Sequence, residues 1–137
     1  MPSKGLNPPY EPLLPLLNKT AHQIVDAAYK VHSNLGPGLL ESVYEICLEH
    51  ELRKKGLSVK RQMGLPIIYE NLYLDGGLRL DMLVESCVVV EIKAVEVLLP
   101  VHFAQVLTYL KLSGHRLGLL VNFNVAMIKE GLKRIIL

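Results

Sequence analysis

The chain has 137 residues, half of them apolar, and a formal net charge of +2. That is the size of one domain with enough apolar surface for a core, and no apolar run reaches the roughly 18 residues needed to span a bilayer. The mild positive charge permits nucleic-acid binding without arguing for it, and with no Trp and few aromatics no base-stacking platform is evident.

The N-terminus holds Pro2, Pro8, Pro9, Pro12 and Pro15. Proline fixes φ and removes backbone donors, so residues 1–18 are expected to form an irregular arm and residues 19–137 the domain. A basic start followed by a long apolar stretch is missing, so no signal peptide is expected and a cytoplasmic location is the default. Cys47 and Cys87 form no CxxC pair and are read as reduced residues in or near the core. The five histidines show no ligand-like spacing with them, which argues against structural zinc.

Thr20 is the expected N-cap of a first helix over Ala21–Ser33, ended by Gly36-Pro37-Gly38. A second helix is expected over Leu39–Lys55, with Leu40, Val43, Tyr44, Cys47, Leu48 and Leu52 at helical spacing and Gly56 as a left-handed cap. The period then changes. Ser58–Gln62, Leu65–Tyr69 and Asn71–Leu74 read as extended, and Asp75-Gly76-Gly77 as a turn. Leu78–Val84 and Val88–Ala94 are two strands, so closely linked that an antiparallel hairpin follows. A third helix spans Pro100–Ser113 and ends at Gly114. Arg116–Asn122 is a buried type of strand. Met127 onward holds a short turn or helix and a last strand, Lys133–Leu137. Helices on both sides of a strand meander predict an α/β (α+β) domain with a central mixed sheet flanked by helices on both faces.

The chemistry concentrates on the hairpin. Glu91 and Lys93 are two apart on one strand and share a face. With the turn near Ser86, Asp81 falls opposite Glu91, and facing Cβ atoms lie about 4.5 to 5.5 Å apart. Two carboxylates that close repel unless a cation lies between them or one is protonated. Oxygen ligands suit Mg²⁺ or Mn²⁺, and Lys93 beside such an ion could serve an attacking water. An ordinary exposed cross-strand ion pair has the same spacing. Glu41, in the first turn of the second helix, is either a carboxylate complementing the helix dipole or a third ligand. Gln105 and Tyr109 share one face of the third helix and can aim at the same cleft. Solvated and core positions, respectively, are their other reading.

Gly38-Leu39-Leu40-Glu41-Ser42-Val43-Tyr44 resembles the motif of the GxxExxY-type protein family, part of the PD-(D/E)XK nuclease superfamily. The resemblance continues through residues 78–85, 88–94, 104–111, 118–123 and 131–135, nearly everything after Ala21. It implies a core of helix, three-stranded meander, helix and strand, in a restriction-endonuclease-like arrangement. It implies Asp81 and Glu91 as metal ligands, Lys93 as the catalytic lysine, Glu41 as the helix-borne acid and Gln105 as an accessory polar residue. Gly38 and Tyr44 would be structural motif positions. Leu80 stands where the proline that names the superfamily is found, and Leu78 where an aromatic is common. Neither change removes a ligand.

The expectation is therefore a Mg²⁺- or Mn²⁺-dependent nuclease acting on nucleic acid, DNA ahead of RNA, with no membrane partner. Candidate backbone contacts are Lys54, Lys55, Lys60, Arg61, Lys111 and Arg116. A domain this small has little surface to grip a duplex, so a homodimer would help. The rival reading is a nucleic-acid-binding or assembly module that keeps the fold without turnover.

Overall fold

In the computed structural model, residues 13–137 are described. Residues 1–12 of the expected arm lie outside them. Helices α1 (Pro15–Leu35) and α2 (Glu41–Lys54) precede strands β1 (Val59–Tyr69), β2 (Leu72–Val84) and β3 (Val88–Lys93). Helix α3 (Pro100–Ser113), β4 (Leu117–Asn122), a 3₁₀ turn at Ile128–Gly131 and β5 (Leu132–Ile136) follow. The sheet order is β1-β2-β3-β4-β5. Every neighbouring pair is antiparallel except β3 and β4, which are parallel and joined through α3, as a parallel crossover requires.

The expected layering holds. Ile24, Ala28 and Val31 of α1 and Tyr44, Leu48 and Leu52 of α2 bury against Met82, Val84, Val88, Val90 and Ile92. On the other face, Val106 and Leu110 of α3 bury against Leu80, Leu83, Val89 and Leu120. Strand β3 is thus covered on both sides, and its valines read as a continuous apolar run for that reason. Each such side chain contributes about 1.5–3 kcal/mol by burial. Glu91, only 5% exposed in the same strand, is the costly exception.

Three local expectations are corrected. First, α1 begins at Pro15 and not beyond a Thr20 cap, so 15–18 are helical and not part of an arm. Proline in the first turn loses only an N–H that had no partner there. Leu17 and Thr20 are buried, extending the apolar stripe one turn earlier. Second, the two stretches expected at Ser58–Gln62 and Leu65–Tyr69 are one continuous strand, β1, which starts at Val59.

Third, Asp75-Gly76-Gly77 is not a turn. The chain reverses at Glu70-Asn71, with Tyr69 paired to Leu72 and Glu70 at φ 53°. Asp75-Gly76-Gly77 lies inside β2 as a bulge: the register steps from Leu65↔Leu78 to Ile67↔Leu74, and Gly76 takes φ 68°. Pro66 sits at this step on an edge strand, where its missing N–H breaks no inner ladder. Beyond Leu80 the β1–β2 ribbon runs past β3, whose pairing with β2 covers only Met82–Val84. Its end exposes Ile68, Tyr69, Leu72 and Tyr73.

The other ends fall as expected. Gly56 (φ 84°) and Gly114 (φ 79°) are left-handed caps. Cys47 and Cys87 are both free and half-buried. No helix among the described residues is long and apolar enough to cross a membrane.

Candidate active site

The β2–β3 hairpin has the register expected of it: Val84↔Val88, Leu83↔Val89 and Met82↔Val90. One step further Asp81 stands across from Glu91, but the ladder stops. Instead Asp81 Oδ2 accepts a hydrogen bond from the Ile92 N–H at 2.9 Å. The carboxylate thus occupies the place of a backbone partner and lies against β3 beside Glu91.

Lys93 Nζ lies 3.8 Å from Glu91 Oε2, a long contact for an ion pair. Glu91 Oε1 is buried with no hydrogen-bond partner. An unsatisfied buried oxygen is expensive, more so when charged. The Glu91 carboxyl is accordingly pushed up to about 8, first by burial and then by the nearby Asp81, with Lys93 opposing. Asp81 is raised as well. Burial is the main cause, the Ile92 amide opposes it, and Glu45 and Glu41 add repulsion.

Glu41 reaches this cluster through a pinned loop. Tyr44 Oη donates to the Gly36 carbonyl at 2.7 Å and accepts from the Leu39 N–H at 3.1 Å. Its ring stacks on Phe123, centroids 4.5 Å apart. Gly38, at φ 97°, donates its N–H to Asn124 Oδ1. The two motif ends therefore clamp the turn that starts α2, and Glu41 projects from its first turn close enough to repel both Asp81 and Glu91. Tyr44→Phe leaves the Leu39 N–H without its acceptor, and urea unfolding should show a loss of about 1–2 kcal/mol.

From α3, Gln105 Nε2 donates to Tyr109 Oη at 2.8 Å. The Tyr109 phenol is raised by burial and then by Glu91, so this pair faces the carboxylates from the other layer. Asp81, Glu91, Lys93, Glu41, Gln105 and Tyr109 are thus brought to one locality.

Of the candidate backbone contacts, Lys54, Lys55 and Arg116 lie at the other end of the sheet. Arg61 is already held, with Nη1 2.7 Å from Glu45 and Nε 2.9 Å from Glu49. Lys54 pairs with Glu51 at 3.6 Å. Lys54 and Lys55 end α2 where Arg53 bonds the Val59 carbonyl, and Arg116 precedes Leu117, which pairs with Val88. That end of the sheet is about 10 Å or more from Glu91 along β3, at 3.3 Å per residue. Lys60 and Lys111 are exposed.

Two contributors escaped the sequence reading. Glu45, 7% exposed, lies one helical turn after Glu41 and faces Asp81; the i,i+4 spacing was the available signal. Asn122 is buried and binds both the N–H and the carbonyl of Val95, fixing the chain just after Lys93. Nothing in its local sequence marks that role.

A family model for the PD-(D/E)XK nuclease superfamily matches residues 18–135. The chain belongs to the PD-(D/E)XK nuclease superfamily. The match is at superfamily level. It covers all five strands and supports a nuclease-like, enzymatic function for this member. No curated protein and no solved structure matches the chain.

The donor set fits a hard divalent ion. Two carboxylates meet at a spot where one oxygen is buried without a partner, and a cation there would relieve both the repulsion and the orphaned atom. Among the described residues, no three His, Cys, Asp or Glu side chains are gathered to hold a metal by themselves. Mg²⁺ commonly keeps several waters and takes only one or two carboxylates, so two ligands are sufficient for it.

Proposed function

We propose that this superfamily member hydrolyses phosphodiester bonds of nucleic acid, DNA in preference to RNA, with Mg²⁺ or Mn²⁺ held by Asp81 and Glu91 and assisted by Glu41. The observation that carries the reading is the buried, partnerless Glu91 Oε1 beside Asp81. An ordinary exposed ion pair has no such atom. When bound, the cation supplies an acidified water and polarises the phosphate.

The chain's own groups do the rest. Lys93, half-buried at the end of β3, holds the attacking oxygen and offsets negative charge growing on the phosphate. Tyr109 keeps its proton and, set by Gln105, offers a hydrogen bond to a phosphate oxygen. Pairing of two copies would extend the surface available to a duplex.

Calorimetric titration of Mn²⁺ into wild type and Asp81→Ala tests the site, followed by cleavage assays on single- and double-stranded substrates. Wild type should bind Mn²⁺ and cut at least one substrate, and Asp81→Ala should do neither. Binding without cleavage of any substrate would favour the silent binding module. No binding at all would remove the metal site.

A further inference from the structure

Asp81 leaves its strand in an unusual way. Along β2, Leu78 and Leu80 pack in the α3 layer, but Met82 and Val84 pack in the α1–α2 layer. Residues two apart in a regular strand share a face, so the alternation changes phase at Asp81. Across from it on β1 is Gln62, between the pairs Arg61↔Met82 and Met63↔Leu80. Gln62 has φ 53°, and among the described residues no other non-glycine inside a strand takes that conformation. Such strain persists only where surroundings enforce it.

The enforcement is visible. The Gln62 amide donates to both oxygens of Glu45, at 3.0 and 3.1 Å. Arg61 Nη1 donates to the same carboxylate at 2.7 Å. Neighbouring strand residues normally point to opposite faces; here both reach one buried acid on α2. Arg79 caps the Gln62 carbonyl at 3.3 Å.

We infer that Glu45, through Arg61 and Gln62, holds a kink in β1 that turns Asp81 out of the ladder onto the Ile92 amide beside Glu91. Glu45 and Gln62 are positioning residues, and the inference rests on the reading of Asp81 as a metal ligand. A purely electrostatic role makes the opposite prediction, because an extra negative charge near the site would tighten cation binding.

The test is Gln62→Glu, an exposed substitution that sets two carboxylates against each other and opens the clamp. Mn²⁺ affinity is measured by calorimetry and Ile92 amide exchange by NMR. Affinity should fall by at least about tenfold, the usual scale for groups that orient a ligand, and Ile92 should exchange faster. The double variant Gln62→Glu/Glu45→Gln exchanges amide and carboxylate and should recover most of both losses. Equal or tighter Mn²⁺ binding in Gln62→Glu with unchanged Ile92 exchange overturns the inference. Should wild type bind no Mn²⁺, the metal reading fails, while Ile92 exchange still decides whether the clamp positions Asp81.

Discussion

Replacing Lys93 with Ala should cut cleavage by orders of magnitude while leaving the divalent ion bound. The ammonium lies 3.8 Å from Glu91 at the end of β3, and it makes no other ion pair among the described residues. Its removal takes away the cation beside Glu91. Loss of a charge-stabilising donor of this kind costs about a hundred- to a thousandfold in rate. Binding responds differently. Without Lys93 the metal meets less repulsion, but Glu91 holds its proton more tightly, because Lys93 is one of the groups that lower it. These effects oppose, so affinity measured above pH 8.5 should be kept. Single-turnover cleavage and Mn²⁺ calorimetry on the same sample separate the two. If the variant unfolds or loses the ion, the lysine is structural and its catalytic assignment fails.

The second large effect is a pH dependence of stability in chelator. The Glu91 carboxyl rises from an ordinary 4.5 to about 8 in the folded chain. Between those values the folded state holds a proton that the unfolded state has released. Stability from this group is therefore full below pH 4.5 and falls as pH rises through 8. The slope is about 1.4 kcal/mol per pH unit, several kcal/mol in all. Asp81, shifted the same way, adds to the trend.

Urea unfolding in EDTA should show wild type weakening from pH 6 to 8.5. Glu91→Gln, neutral throughout, should flatten that slope and be the more stable protein at pH 8.5. Mn²⁺ should reverse the ranking by stabilising wild type alone. Parallel pH profiles for the two proteins would mean that Glu91 is ionised and solvated in the metal-free fold.

How much of this could be read beforehand depended on how local the cause was. Helix α3 and its Gly114 cap follow from a Pro and a Gly 14 positions apart, and the structure has them where expected. The hairpin register followed from a short turn and equal offsets on both strands. Asp75-Gly76-Gly77 misled because turn residues also serve bulges; choosing between them required knowing that β1 continues alongside. Pro15 was read as a breaker, although proline is at home in a first turn. Glu45 went unremarked because its partners, Arg61 and Gln62, lie 16 and 17 positions later on another element. Arg61 was assigned to nucleic acid for the same reason: its two carboxylate partners sit on another element.

The β1–β2 ribbon has a practical corollary. Past Leu80 its strands have no further neighbour in the sheet, so its amides can open while the interior stays closed. Glu70-Asn71, at its far tip, is accordingly where a label, an inserted tag or a permuted terminus should do least harm to the residues at its base.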